Sequence, residues 1–446
     1  MTRSDKWQLD IPRLISNSLQ RLPRLWRMCA KCFGIFGFST SNLKYRRTSQ
    51  IQGKQKSNPR NYKYVFDGQA FQTLTRQRGI GKYSANLLAA ICKENSQHAF
   101  GVILTNVVDQ KEISKATSTL QELGLENLDV IVIDVFDMAE TVSFKTAQQN
   151  LHNKLKEIGC PLVLSLSSFE NPKQVIPIPK SSEYKRVGIL YDLIPHIFPE
   201  LLLFSRESKQ RYAWLLQNLQ EFDLLLSISG ESKKSWNDCN LSKIPIEVIG
   251  GGSRFQSKIQ GHLPSFDKRF GILAVGAEQK HKNLDLLLLA YLMLDEELQL
   301  THDLILIGIR SWGEKKRLMK LANQIHGAVI IPHYLDDREL QDLYLNSRIL
   351  VMPSLIEGLS LPILEAWEFG LLAIGSKGTV AEELIQNKAL LFDPKSAEDL
   401  KELLQKYLVN ESAWNEGILS SGLNAKKLTW ENAALKAINA IAKLNA

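Results

Sequence analysis

What the chain has little of narrows its class first. Its five cysteines (Cys29, Cys32, Cys92, Cys160, Cys239) are odd in number and scattered, which speaks against a disulfide framework and for reduced thiols in a cytoplasmic protein. Cys29 and Cys32 form one CxxC pair, but neither a second pair nor suitably spaced histidines lie nearby, so no zinc site is expected. Long apolar runs are missing too. Arg27 and Lys31 interrupt the best candidate, Leu25 to Phe38, which falls short of the roughly 20 apolar residues of a spanning helix and makes a poor signal peptide. No Asp-x-Asp occurs anywhere, so the carboxylate pair that would hold a divalent cation on a diphosphate is absent from the sequence.

Acidic residues are scarce at one end only. Residues 1–60 hold thirteen Lys or Arg against Asp5 and Asp10, a net +11, which leaves the remainder at −3 within the total of +8. The basic character therefore belongs to an N-terminal extension and not to the folded body, and nucleic acid is not an expected partner. Between Ile11 and Phe38 the apolar residues recur mostly at three- or four-residue steps, with Arg13, Arg21, Arg24 and Arg27 between them. That is the pattern of a basic amphipathic helix, kinked at Pro23, or of an untidy basic leader with transient helix. The helical reading implies an anionic membrane surface as partner, with the protein cytoplasmic or peripheral on the inner face of the cytoplasmic membrane. Ser39 to Asn61 is polar and aperiodic and reads as a flexible linker.

At 446 residues the chain exceeds what one core usually supports, and two domains are expected. From Tyr64, short β-branched runs alternate with helical patterns, the signature of stacked β-α-β units. Strands are predicted at 64–67, 100–104, 130–134, 161–166, 186–191, 224–228 and 246–249. Gly250-Gly251-Gly252 and the polar stretch to Lys268 break the series, and a second begins at Gly271, with strands at 271–275, 303–307, 329–331, 349–352, 372–375 and 389–392. The fold class is thus α/β, two doubly wound Rossmann-like lobes facing a cleft behind the basic extension. The expected divisions are 1–60, 61–255, 256–428 and a closing helix over 429–446.

The segment from Met352 to Gly370 carries the most chemistry. Val351 and Met352 end a buried strand, Gly358 permits a tight turn, Ser360 is a good N-cap and Pro362 suits a first helical turn. The amides at such a helix start attract diphosphate oxygens. Glu357 before it and Glu365 inside it are out of place around an anion unless they serve neutral hydroxyls, which a sugar and a ribose supply.

In this glutamate, seven residues, glutamate pattern the chain resembles the family 4 glycosyltransferases, retaining enzymes of the GT-B fold. The resemblance spans about residues 64–440 and is strongest over 270–395. It implies that Glu365 grips the ribose hydroxyls, that Glu357 lies beside the donor sugar, and that Gly358, Leu359, Ser360 and Leu361 meet the donor. The segment Gly276-Ala277-Glu278-Gln279-Lys280-His281-Lys282-Asn283 resembles the family's diphosphate-binding loop. Lys282 falls on its lysine, Gly276 and Lys280 are further donor candidates, and its arginine position reads Ala277. Arg78-Gly79-Ile80-Gly81-Lys82-Tyr83 resembles a loop of a bacterial polysaccharide branch containing mannosyl- and rhamnosyltransferases, where it approaches donor phosphate and acceptor. A glycine turn that only packs a helix is the other reading. Tyr191-Asp192-Leu193-Ile194-Pro195-His196 follows a strand where many relatives read His-Asp, so Asp192 is the candidate sugar or acceptor contact, with Tyr191 and His196 as further cleft residues. Ser229 to Lys234 reads as cleft wall.

The resemblance implies a metal-independent, retaining transfer of a hexose from a nucleotide-diphosphate sugar to a glycan or lipid-linked acceptor, with no cofactor. Ala277 and Tyr191 favour the alternative of a catalytically impaired scaffold or nucleotide-sugar binding protein. A GT-B epimerase or phosphorylase would share the two lobes.

Overall fold

A computed structural model describes residues 40, 43–46, 61–136, 139, 141–255, 263–276, 278–333 and 335–444, without the side chains of 422–424. The amphipathic pattern of 11–38, the Cys29/Cys32 pair and Ala277 lie outside these residues. Among the described residues no helix is long and apolar enough to cross a membrane.

Fifteen strands are seen among them. They are β1 (Lys44–Arg46), β2 (Tyr62–Asp67), β3 (Ala99–Thr105), β4 (Leu128–Ile133), β5 (Thr141–Ser143), β6 (Leu162–Ser165), β7 (Lys185–Leu190), β8 (Leu224–Ser227), β9 (Ile246–Val248), β10 (Ile272–Val275), β11 (Leu304–Ile307), β12 (Val329–Ile330), β13 (Ile349–Met352), β14 (Leu372–Ser376) and β15 (Leu391–Phe392). One sheet runs β4-β3-β2-β6-β7-β8-β9 and the other β12-β11-β10-β13-β14-β15, with every neighbouring pair parallel. Strands covered by helices on both faces read as unbroken apolar runs. Ile-Leu-Val-Met of β13 and Leu-Ile-Leu-Ile of β11 are buried at every position. One element departs from expectation: Lys44–Arg46, within the stretch read as flexible linker, pairs antiparallel with β5 in a two-stranded ribbon, and Tyr45 is buried there.

In such sheets ligands bind at the carboxyl ends of the strands, where the winding direction reverses. In the second sheet that point lies between β10 and β13, so the loops at 276–283 and 353–360 open side by side at the crevice. In the first it lies between β2 and β6.

Three of the contacts that join the lobes set their placement. Leu359 and Leu361, on the turn before the helix Leu361–Glu368, pack against both hydrophobic cores. Glu383, in the helix Val380–Ile385 of the second lobe, accepts hydrogen bonds from the amides of Gly230 (2.9 Å) and Glu231 (3.0 Å) at the start of the first-lobe helix Gly230–Asp238. A carboxylate suits a helix N-terminus, whose amides lack intrahelical partners.

The third contact is the closing helix Trp430–Leu444, which belongs to the first-lobe core although it follows the second lobe in sequence. Its alanines Ala433, Ala434, Ala437 and Ala440 are buried and let it lie close to the helix Gly79–Glu94. Trp430 is the anchor: its ring meets Tyr83 edge-on at 4.9 Å and its Nε1 donates to the carbonyl of Ser253 at 2.7 Å. Trp430→Ala is expected to cost about 3–5 kcal/mol, as other large-to-small core substitutions do. Denaturant unfolding followed through the first lobe checks this, and an unchanged midpoint would show that the helix is not part of that core.

Candidate active site

Beyond β10, Gly276 turns the chain in the left-handed region (φ +82°), and Lys280–Lys282 form a single 3-10 turn. Asn283 also has a positive φ, +55°, which is uncommon for a residue with a side chain. Its amide nitrogen donates to the carbonyls of Pro353 (3.1 Å) and Pro394 (2.9 Å), which ties the β10 loop to the β13 loop. Lys282 is thereby set opposite Glu357, and its Nζ donates to Glu357 Oε1 at 2.7 Å in a largely buried pair.

The next residue, Gly358, abuts the first lobe. A Cβ there would lie 2.8 Å from Asp192 Cβ and 3.2 Å from Ile228 Cδ1, so this turn meets an opposing wall that only glycine permits at this distance. Asp192 follows β7, and its Oδ1 accepts the Ile194 amide at 3.0 Å. Burial pushes its carboxyl above the usual range, the Ile194 amide and Lys282 pull it back, and Glu357 adds to the rise. One lysine thus faces two carboxyls from opposite lobes.

The helix Leu361–Glu368 starts without a side-chain cap, although Ser360 stands at the N-cap position. This corrects the expected capping role: among the described residues the buried Ser360 hydroxyl has no hydrogen-bond partner, and the same holds for Ser354 Oγ and His281 Nδ1 in the two loops. Buried polar atoms are usually paired, which sets these three groups of the two loops apart.

Glu365, inside the helix, is 3% exposed and held on both oxygens. Tyr344 donates its hydroxyl to Oε2 at 2.6 Å, and Arg254 Nε lies 2.8 Å from Oε1. Burial raises the Glu365 carboxyl, with Arg254 the main opposing influence and the Tyr344 hydrogen bond the next. Neither partner stands in a motif of the sequence. Arg254 sits just after the glycine run, and its position between two lobes is the one signal that pointed to the cleft.

The remaining expected site residues fall in different places. Gly79 and Ile80 are exposed at the start of the helix Gly79–Glu94, which has no side-chain cap and no acidic residue in its first turn. Gly81 is a packing glycine, since a Cβ would lie 2.2 Å from the Thr75 carbonyl oxygen. Tyr191 corrects the expectation of a cleft contact: its hydroxyl bonds to Ser84 Oγ and the Leu166 carbonyl, both at 2.8 Å, inside the first lobe. Lys280 is exposed, and its charge reinforces Arg317 in holding Glu314 below the usual carboxylate range. His196 lies half-buried in the short helix Ile194–Ile197, where burial lowers its imidazole.

His281 carries a testable consequence. Burial, with the neighbouring Lys282 charge, depresses its imidazole to about 4. Between that value and the unfolded value near 6.5, the unfolded chain binds more protons at this position, so acidification weakens the fold by up to about 3 kcal/mol. His281→Asn should remove this component, and the wild-type-minus-variant stability should fall as the pH drops from 6.5 to 4. A flat difference curve would contradict the burial of a neutral imidazole.

Residues 255–417 match the family model described as glycosyl transferases group 1. The serotype-specific mannosyltransferase WbdA of Escherichia coli is 25% identical over 408 residues, covering 85% of this chain and 48% of that protein. The O-antigen chain mannosyltransferase B of Escherichia coli is 34% identical over 203 residues, covering 45% of this chain and 50% of that one. The chain spans about half the length of these curated relatives. Among solved structures, Anabaena HepE in complex with UDP and glucose superposes with a TM-score of 0.57 at 13% identity, covering 85% of this chain and 99% of that one. The chain therefore carries a glycosyltransferase group 1 domain within a GT-B architecture of two Rossmann-like lobes.

Proposed function

We propose that the chain is a retaining glycosyltransferase that moves a hexose from a nucleotide-diphosphate sugar to a glycan or lipid-linked acceptor without a metal ion. The meeting of Lys282, Glu357 and Asp192 at the turn that starts the helix Leu361–Glu368 carries this reading. It supplies a cation, helix-terminal amides and two carboxyls in one narrow space. The mannosyltransferase relatives make mannose the first donor sugar to test.

In this reading the donor diphosphate takes the place of Glu357 at Lys282. The ammonium and the amides near Ser360 then stabilise the charge that develops on the leaving diphosphate. Glu357, released from the lysine, accepts hydrogen bonds from donor sugar hydroxyls, and Glu365 receives the ribose hydroxyls. The acceptor hydroxyl forms its bond to the anomeric carbon on the face that the diphosphate leaves. The anomeric carbon–oxygen bond to the diphosphate breaks, and a departing phosphate oxygen takes the proton. Asp192, contributed by the other lobe, orients the sugar or the acceptor. Residues 1–60 serve as a tether to anionic lipid.

Incubation with GDP- and UDP-sugars and glycan acceptors tests the proposal. Lys282→Ala should lower kcat by about 10²- to 10³-fold, in line with loss of one preorganised charge-stabilising group. The product anomer read by NMR should match that of the donor, and excess EDTA should leave the rate unchanged. An inverted product, or a rate abolished by EDTA and restored by a divalent cation, would overturn the mechanism. Donor cleavage that requires inorganic phosphate would indicate a phosphorylase.

A further inference from the structure

We infer that Arg254, in the linker between the lobes, is a positioning residue for nucleotide binding: it aims the Glu365 carboxylate and, through Asp337, joins it to the first lobe. The inference rests on the reading of Glu365 as a ribose-binding group.

The guanidinium is held on several sides. Nε lies 2.8 Å from Glu365 Oε1, and Nη1 lies 3.4 Å from Asp337 Oδ1 at the start of the helix Asp337–Asn346. The guanidinium carbon sits 4.6 Å above the Phe255 ring. Phe255 meets Tyr344 and Phe369 edge-on at 6.1 and 5.6 Å, and those two rings stack on each other at 5.7 Å. Tyr344 in turn donates to the second oxygen of Glu365. Arginine and tyrosine thus approach the carboxylate from two elements, while the aromatic stack fixes both of them. The Arg254 N–H is buried but not aligned for a hydrogen bond, so its contact with Glu365 is one of charge.

Two consequences follow from this arrangement. The Tyr344 hydroxyl takes one of the two acceptor positions of Oε2, so the carboxylate keeps acceptor capacity for the paired hydroxyls of a ribose. The arginine also keeps the group able to accept. The charged and titratable groups facing Glu365 are Arg254, Tyr344 and Asp337; burial and Asp337 favour its neutral form, whereas Arg254 and Tyr344 favour the carboxylate. A neutral carboxyl would present an O–H where an acceptor is needed.

Asp337 extends the chain across the cleft. Besides Arg254 it faces Lys82 Nζ of the first lobe at 3.7 Å, one turn from the exposed helix start at Gly79. Lys82, Asp337, Arg254 and Glu365 therefore form a line of alternating charges from one lobe, over the linker, to the base of the donor seat.

Calorimetric titration of GDP and UDP into the full chain, between pH 5 and 8.5, tests the inference with Glu365→Gln, Arg254→Gln and Arg254→Lys. Arg254→Gln keeps the size and removes the charge; it should weaken the bound nucleotide about tenfold at pH 7, the scale of one lost charged contact. It should also move the acid-side loss of affinity to higher pH, because Glu365 loses the influence that keeps it ionised. Titration of the nucleotide itself is common to all variants and cancels in the comparison. Arg254→Lys should return the acid-side midpoint toward that of the unaltered chain, a rescue that a purely packing role would not give. Equal affinity and equal midpoints for Arg254→Gln and the unaltered chain would overturn the role of Arg254 while leaving the Glu365 reading intact. If Glu365→Gln binds as the unaltered chain does, or the unaltered chain binds neither nucleotide, the reading of the site fails and this inference with it. Thermal unfolding of each variant separates loss of fold from loss of binding. Should Arg254→Gln not fold, Arg254→Met, which likewise keeps bulk and removes the charge, is read in its place: the same affinity loss and upward midpoint shift are expected, and curves coincident with the unaltered chain overturn the role of Arg254.

Discussion

The structure depends on one constraint: a single turn of the second lobe, Glu357 to Leu361, must be shared by both lobes. Its leucines pack into both hydrophobic cores, and its glycine touches the first-lobe wall at Asp192. A turn held this way cannot relax toward either lobe without losing apolar contact with the other. The helix behind it therefore presents its N-terminus into the crevice between the sheets, and the helix dipole acquires a fixed direction relative to the first lobe.

Charge in this crevice is arranged as a set of exchangeable partnerships. Lys282 is neutralised by Glu357, Glu365 by Arg254 with a hydrogen bond from Tyr344, and Asp337 by Arg254 and Lys82. Each buried carboxylate has a cation or hydroxyl close by, as desolvated charge requires. In the proposed reaction the Lys282–Glu357 pair is the contact that the donor diphosphate replaces. The Arg254 cage is different in kind. Its aromatic stack has no reason to move, and it leaves the Glu365 oxygens part of their acceptor capacity.

Much of this was legible from residue order. The Val, Ile and Leu runs of β10 and β13 announce strands buried on both faces, and the glycine, proline and serine after β13 announce a turn into a helix. Other features carried no signal. The ribbon of Lys44–Arg46 with Thr141–Ser143 consists of three residues on each side, too short for any alternation to register. Tyr191 occupies a position that invited a cleft role, yet Ser84 and the Leu166 carbonyl capture its hydroxyl. Ser360 has the residue type of a cap, but its backbone does not turn its hydroxyl onto the helix amides.

The sequence alone determined the order along the chain of the strands in the two large sheets, the break near Gly250 and the loops that bear lysine and glutamate. These follow from local rules, the buried run, the turn residue and the helix start, each written within a few consecutive positions. The tertiary structure alone decided the partners: Lys282 on Glu357, Arg254 and Tyr344 on Glu365, Asp192 against Gly358. A charge finds its partner through space, across lobes whose mutual placement is set by packing of the Leu359 turn and the Trp430 helix. No spacing along the chain records that distance.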